Sequence, residues 1–140
     1  MVSDPERSPG FLLWHVTLRW QRSIAAALTP LELTHVQFVL LASAWWLNEH
    51  GHEPTQVALA EHAGTDVKMT SQVLRGLEAK GLVERAAHPS DGRARLLRVT
   101  RTGARLAPRA IAAVEAADAE FFGDKDAART LSVLTRLAGR

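Results

Sequence analysis

Cysteine is absent from the 140-residue sequence, which excludes disulfide bonds, thiolate metal sites and thiol redox sensing. Long hydrophobic runs are absent too. The longest, from Phe38 to Leu47, contains Ser43 and is about half as long as a membrane span. The first ten residues include Asp4, Glu6 and two prolines and have no apolar core, so no signal peptide is expected. We therefore expect a cytoplasmic protein that does not enter a membrane.

The formal net charge is only +2, but it is distributed unevenly. Between Gly64 and Arg105 there are nine Lys or Arg residues against four acids, whereas the remainder holds eight against eleven. An apolar fraction of 46% and a charged fraction of 23% are ordinary for a globular chain and argue against disorder. The basic centre is typical of a module that binds a polyanion, although chance clustering on a solvated surface fits the charge equally well.

Apolar periodicity predicts two helices before this basic centre. The first starts at Gly10 and ends at Thr29-Pro30, because a residue before proline is disfavoured in the α conformation. The second begins at Thr34, where Thr34 and Gln37 fit a capping box, and continues to Gly51. Because this second helix is apolar almost all round, we expect it to lie between two layers of the protein.

The pattern from residue 55 to residue 80 predicts a helix-turn-helix. Thr55 is placed to cap a short helix that ends at Gly64, a residue type that adopts the left-handed conformation after a helix. Either Thr65 or Asp66 then caps a second helix. Two short helices joined by a glycine-containing turn form a helix-turn-helix. The second helix has an apolar stripe that consists of Thr70, Val73, Leu74 and Leu77.

A β-hairpin with strands over 82–87 and 94–100 follows the second helix directly. Thr100 is placed to cap a long helix that reaches Phe122. Pro108 either kinks this helix or lies in the first turn of a helix that begins near Ala107. A last amphipathic helix covers 126–137.

The predicted fold is mainly α with a small β-hairpin wing, that is, a winged helix-turn-helix. Its parts are a flexible tail (1–9), a winged helix-turn-helix DNA-binding domain (32–100), and a helical dimerisation region (10–31 and 101–140).

The second helix of the helix-turn-helix has the chemistry of a DNA-reading helix. An α-helix fits the major groove of B-DNA, and its outer face near the N-terminus reaches base edges. Gln72 suits a bidentate contact to adenine, Lys68 a guanine edge or a phosphate, and Arg75 a phosphate. No acid lies on this outer face from Val67 to Gly76, although any amphipathic helix shows a polar face.

The tip of the hairpin is a second candidate for a DNA contact. Arg93 carries a long cation that suits an A·T-rich minor groove, and Asp91 is placed to hold it through a carboxylate pair. The alternative is a solvated tip with a weak surface ion pair. The predicted DNA-contacting residues are Lys68, Met69, Ser71, Gln72, Arg75, Arg93 and Arg95.

Five segments, in this order, resemble the MarR family of bacterial winged-helix regulators. They are Leu33–Phe38, Leu59–Gly64, Leu77–Arg85, Asp91–Arg93 and Val99–Gly103. The resemblance implies a homodimer with interlocked first and last helices, a palindromic operator, and repression or activation of transcription that a small aromatic or phenolic ligand often relieves. By position, it gives the wing-tip role to Arg93 and the groove contacts to Lys68, Met69, Ser71 and Gln72. At Gly76 the family often carries a larger, frequently basic residue. A glycine there costs the helix roughly 0.5–1 kcal/mol and weakens the expectation of one backbone contact.

A dimer also follows from the apolar stripes of the first and last two helices, which a monomer would expose. Tryptophans in two pairs lie on the helices that join the dimerisation and DNA-binding layers. A crevice there would stack an aromatic effector beside a basic residue, and simple core packing is the alternative. The candidate ligand residues are Trp14, His15, Arg19, Phe38 and Trp45.

Other function classes find less support. The six histidines match no zinc spacing, so neither a metal nor another cofactor is expected. No histidine is placed to activate Ser71, and no glycine-rich phosphate loop occurs, so catalysis is not expected. The alternative function is a winged-helix module for protein contacts, in which Lys68, Gln72 and Arg93 are dispensable for retention on DNA.

Overall fold

The computed structural model describes residues 4–90, 92 and 95–140. Within these residues there are six α-helices and a two-stranded antiparallel hairpin, which confirms the predicted mainly α, winged-helix fold class. The elements are α1 (Pro9–Leu28), α2 (His35–Glu49), α3 (Gln56–Ala63), α4 (Val67–Ala79), β1 (Val83–Ala87), β2 (Arg95–Val99), α5 (Arg101–Phe122) and α6 (Ala127–Leu137). Short 3-10 turns at Pro5–Arg7 and Thr29–Leu31 flank α1.

The start of α1 lies one residue before the predicted Gly10. Pro9 occupies the first helical position, where its missing N–H costs nothing, and the Ser8 hydroxyl caps the helix. Within the segment predicted as a flexible tail, the Asp4 carboxylate caps the turn at Pro5–Arg7. Short polar side chains before a proline therefore define this end of the chain locally.

The second helix, α2, lies at the centre of the fold. Thr34 Oγ1 accepts from the Gln37 amide at 3.1 Å, and the Gln37 side chain accepts from the Thr34 amide at 3.1 Å, which confirms the capping box. The helix contacts α1, α3, α4, α5 and β2. Leu40, Leu41 and Ala44 are fully buried, so the prediction that α2 lies between layers is confirmed.

The turn between α3 and α4 has the predicted geometry. Gly64 ends α3 with a φ of 73°, in the left-handed region that glycine adopts without strain. Of the two alternative caps for α4, Asp66 is the one used, because its carboxylate accepts from the Met69 amide at 2.9 Å. Thr65 instead shares a 2.7 Å hydrogen bond with the buried Thr70 hydroxyl.

The hairpin is held at its root by α2 and by the segment before α3. Its strands pair from Val83 opposite Val99 to Ala87 opposite Arg95. The Asn48 side chain, near the end of α2, accepts from the Val99 amide at 2.9 Å and donates to the Leu97 carbonyl at 3.2 Å. On its other edge β2 forms an isolated bridge to the residue preceding α3. The wing therefore cannot rotate at its base without breaking backbone contacts.

The long helix α5 begins at Arg101 with the predicted Thr100 cap and continues through Pro108 to Phe122. The alternative start near Ala107 is therefore wrong. The cap decides the start, because the Thr100 hydroxyl satisfies the Gly103 amide at 3.0 Å. Gly103 has a role that the periodicity did not predict: a Cβ there would lie 2.0 Å from the carbonyl oxygen of the residue before β1.

No single helix in the described part of the chain is long and apolar enough to cross a membrane. The first two helices, Pro9–Leu31 and His35–Glu49, meet the length and composition test only together, and they are bent by 73°.

Candidate nucleic-acid interface

The outer face of α4 is exposed to solvent. Thr70, Leu74 and Leu77 are fully buried on the opposite face, as the predicted stripe requires, while Val73 is partly buried. The outward residues Lys68, Gln72 and Arg75 are exposed and, among the described residues, form no hydrogen bond or ion pair within the protomer. Met69 is 37% exposed and Ser71 is partly buried, both on the flanks of this face.

A hydroxyl network fixes the N-terminus of this helix. Thr70 Oγ1 donates to the Asp66 carbonyl at 2.7 Å and contacts Thr65 Oγ1 at 2.7 Å. Thr70 is also fully buried, so its hydroxyl depends on these partners. Sequence periodicity placed Thr70 in the apolar stripe and missed this role. The polar side chain at a buried helical position, next to Thr65, is the signal that was available.

The wing is described only in part. Arg95, at the start of β2, is exposed, and its guanidinium donates to the Gly92 carbonyl at 3.3 Å. Asp91 and Arg93, for which a minor-groove role is predicted, lie outside the described residues. Their role therefore stays a prediction, and the described part of the wing consists of the paired strands β1 and β2.

Three further basic side chains of the basic centre bind other elements of the protomer. Arg98 pairs with Glu53, and the hydrogen bond from Arg98 lowers the pKa of that carboxyl below its usual range. Lys80 donates to the Gln37 side chain at 3.0 Å and to the Glu32 carbonyl. Arg85 is the third and binds a carboxylate of α4 at 2.6 Å. These basic side chains link secondary-structure elements within the protomer. The local positive charge therefore overstates the number of cations that are available to a polyanion.

The predicted ligand residues do not gather at one point in the protomer. Trp14 is 64% exposed, and the His15 ring lies 4.5 Å from that of Phe11. Phe38 and Trp45 are partly buried and pack against the hydrophobic core, as the core-packing alternative expects.

A cleft of about 640 Å³ between α1 and α5 contains one of the predicted ligand residues, Arg19. Phe121 of α5 also lines this cleft, together with Ser23 and Glu120. Sequence reasoning missed Phe121 because it is separated from Arg19 by most of the chain. The cleft offers a cation, a hydroxyl and an aromatic ring, which suit a small aromatic acid, and also the carboxylate of Glu120, which opposes one.

Two further clusters of aromatic side chains, around Trp20 and Trp46, contain polar contacts and do not line the cleft between α1 and α5. Trp20 Nε1 donates to Asp118 of α5 at 2.7 Å, and the His35 ring meets Trp20 edge-on at 5.1 Å. Burial lowers the pKa of His35, although the nearby Asp118 charge opposes this shift. His50 and His62 stack against Trp46 at 3.9 Å and 5.7 Å. In the described ranges no group of three or more histidines and carboxylates is placed to hold a metal ion.

Comparison with known proteins places the chain among transcriptional regulators. A sequence model described as the MarR family matches residues 33–94. The HTH-type transcriptional regulator YdcH of Bacillus subtilis is 46% identical over 120 residues, which cover 86% of this chain and 82% of the relative. The HTH-type transcriptional repressor Rv2887 of Mycobacterium tuberculosis is 38% identical over 113 residues, covering 81% and 78%.

Solved structures agree with this placement. A mutant of MarR from E. coli, crystallised in complex with operator DNA, superposes with a TM-score of 0.81 and 27% identity and covers 96% of this chain and 99% of that chain. Rv2887 in complex with salicylic acid superposes with a TM-score of 0.72 and 33% identity, covering 93% and 96%.

Proposed function

Because the chain belongs to the MarR family, we propose that it is a homodimeric, sequence-specific regulator of transcription that binds a palindromic DNA operator. The observation that carries this function is the outer face of α4, whose polar side chains are exposed and have no partner among the described residues. Its relatives are transcriptional regulators rather than enzymes. We propose accordingly that the protein has no catalytic activity and acts in the cytoplasm, where its DNA lies.

In the DNA complex, α4 enters the major groove and the wing follows the adjacent minor groove. Gln72 meets a base edge and Lys68 a phosphate, with Met69 and Ser71 beside them, because these residues lie in the first turns of the helix. Arg75 lies one turn further on and binds phosphate. At the wing, Arg93 enters the minor groove and Arg95 supports it from the start of β2.

The homodimer is built from the terminal helices. None of the residues of α6, all of which the structure describes, is buried within the protomer. Leu131 is 68% exposed and Leu137 is 64% exposed, and at the other end of the chain Leu13 is 56% exposed. Apolar side chains at this density usually mark an interface. A twofold axis through these helices sets two recognition helices roughly 34 Å apart, one turn of DNA.

We further propose that the protein is a repressor and that a small aromatic acid relieves repression by binding the cleft between α1 and α5. Arg19 pairs with the carboxylate, and Phe121 gives the ring a stacking surface. The complex of the relative Rv2887 with salicylic acid supports this chemistry. Salicylic acid should therefore weaken DNA binding by the wild type and weaken it less in the Arg19→Ala variant. The control Arg22→Ala changes another exposed arginine of α1, and its DNA binding should respond to salicylic acid as the wild type does.

The function is tested by selection of a duplex from a random-sequence pool, followed by titration of that duplex in gel shifts and by measurement of mass in solution. We expect a palindromic sequence, a dimer, and affinity that falls steeply with salt, as counterions return to the DNA. The double variant Lys68→Ala and Gln72→Ala should lose the selected preference. Lys125→Ala, an exposed lysine in the turn before α6, should retain it. Equal affinity of the double variant and the wild type would favour the protein-interaction alternative.

A further inference from the structure

Arg85 lies on the core-facing side of the wing, although it belongs to the basic centre of the sequence. Side chains alternate along β1: Val83 is 3% exposed, Glu84 is exposed, and the Arg85 side chain is 27% exposed. Across the hairpin Arg85 is paired with Leu97, which is 1% exposed. The guanidinium therefore extends over the helices rather than away from the protein.

Two partners on two different helices bind this guanidinium. Arg85 Nε donates to Glu78 Oε1 at 2.6 Å, in the last turn of α4. Arg85 Nη1 donates to Gln56 Oε1 at 3.2 Å, at the first residue of α3. The other side-chain atom of Gln56, its amide nitrogen, donates to the Val67 carbonyl at 3.5 Å, at the first residue of α4. Arg85 thus connects the wing to both helices of the helix-turn-helix. It binds the C-terminal end of α4 directly and is linked to the N-terminal end through Gln56.

The position of Glu78 supports this role. A carboxylate in the last turn of a helix is opposed by the negative end of the helix dipole, so it needs a nearby cation. Arg85 supplies that cation from β1. The pair is about one-third exposed or less on each side, so solvent screens it less than a fully exposed surface ion pair.

We propose that Arg85 is a positioning residue, which sets the angle between α4 and the wing so that both can enter adjacent grooves of one DNA turn. This inference rests on the proposed function. The guanidinium is planar and donates to two partners at once, and a lysine ammonium cannot reproduce that fork. Loss of the fork leaves the wing anchored at its root to α2 and to the segment before α3 but frees α4 to shift relative to the wing.

The competing role, a direct phosphate contact by Arg85, predicts the opposite effects. If Arg85 bound phosphate, Glu78→Gln would release it and remove a negative charge, so DNA binding would strengthen. Under the positioning role, Glu78→Gln replaces the charge-assisted hydrogen bond that orients Arg85 by a weaker neutral one, so binding of the selected sequence weakens. A lost phosphate contact would also weaken selected and unselected DNA alike, whereas lost positioning weakens chiefly the selected sequence.

The experiment uses the full-length protein, the duplex that the wild type recovers from a random pool, and a scrambled duplex of the same length and composition. Fluorescence anisotropy gives the affinity of each variant for both duplexes. We expect Arg85→Lys and Glu78→Gln each to lose about tenfold on the selected duplex and less than about twofold on the scrambled one. The double variant should lose no more than either single variant, because the two side chains act through one contact.

Glu84→Gln is the matched control for Glu78→Gln, since it makes the same charge change at an exposed position of β1, the strand that carries Arg85. It should bind both duplexes at least as well as the wild type. The ratio of the two affinities is insensitive to partial unfolding, because a smaller folded fraction lowers both affinities equally. Stronger binding by Glu78→Gln, or equal losses on both duplexes, would overturn the positioning role. A wild type that selects no sequence would instead overturn the proposed function, and this inference with it.

Discussion

Replacing Gly103 by alanine would place a methyl group where the Leu82 carbonyl already lies. The added Cβ would be 2.0 Å from the oxygen and 3.0 Å from the carbonyl carbon. Carbon atoms in contact prefer separations of roughly 3.5 Å or more, so the backbone at Leu82 or the start of α5 must move by more than about 1 Å. The carbonyl cannot move freely, because it accepts from the Thr100 amide at 3.0 Å.

The expected cost is about 3 kcal/mol of unfolding free energy. Overpacking against backbone contributes roughly 1–3 kcal/mol, and the loss of one or two hydrogen bonds around Thr100 adds roughly 0.5–1.5 kcal/mol each. The Thr100 hydroxyl is among the groups at risk, since it donates to the Gly81 carbonyl at 2.6 Å and accepts from the Gly103 amide. Alanine in a helix offsets only roughly 0.5–1 kcal/mol of this cost.

Gly76→Ala is the matched control, because it is the same substitution in another helix. Its Cβ would meet only the Gln37 side-chain nitrogen, at 3.4 Å, which is ordinary contact. We therefore expect Gly76→Ala to stabilise the protein by roughly 0.5–1 kcal/mol, the opposite sign. Gly76 thus costs helix stability but is not required by packing.

Urea unfolding, followed by circular dichroism at one fixed protomer concentration, measures both effects, since a dimer's stability depends on concentration. A Gly103→Ala protein within about 0.5 kcal/mol of the wild type, with an unchanged urea slope, would refute the close-contact reasoning.

Four other substitutions test the interface and the stability of the fold. Lys68→Ala should weaken binding to all duplexes and lower the magnitude of the salt slope by roughly 0.9 for a phosphate contact, whereas Gln72→Ala should relax preference at one base pair by roughly 1–3 kcal/mol. Titration of single-base variants of the selected duplex separates these two effects. Identical affinity profiles for Lys68→Ala and Gln72→Ala would contradict the assigned contacts. Thr70→Val keeps the shape but removes the buried hydroxyl that binds the Asp66 carbonyl, so urea unfolding should show a loss of roughly 1–3 kcal/mol. Burial lowers the pKa of His35 below 6.5, so the folded state loses stability as pH falls from about 6.5 through that lowered pKa. His35→Gln should flatten this part of the stability curve, and an unchanged curve would show that other groups control it.

Much of the fold follows from interactions between residues close together in the chain. The capping box at Thr34 and Gln37, the cap at Thr100 and the left-handed Gly64 each involve partners within four residues, and all were predictable. The start of α5 was left open because Pro108 is a breaker in most helices. The Thr100 cap, eight residues before Pro108, outweighed it.

The sequence predicted which side chains of α4 face outward, but it did not predict the hydrogen bonds that hold this helix in place. Periodicity correctly separated the buried Leu74 and Leu77 from the exposed Lys68 and Gln72, because helical geometry alone decides which side chains share a face. Thr70 was placed correctly but interpreted as apolar, because periodicity does not show what a buried hydroxyl binds.

Local chemistry along the chain was therefore enough to specify the helices, the turn and the face of α4 that is free to read DNA. It was not enough to show which basic side chains are bound by partners within the protomer. Lys80 finds Gln37 at a separation of 43 residues, and Arg98 finds Glu53 at a separation of 45. Arg85 bridges Glu78 and Gln56 only because β1 packs beside both helices. A charge's role depends on its nearest partner in space, and packing of distant elements determines that partner.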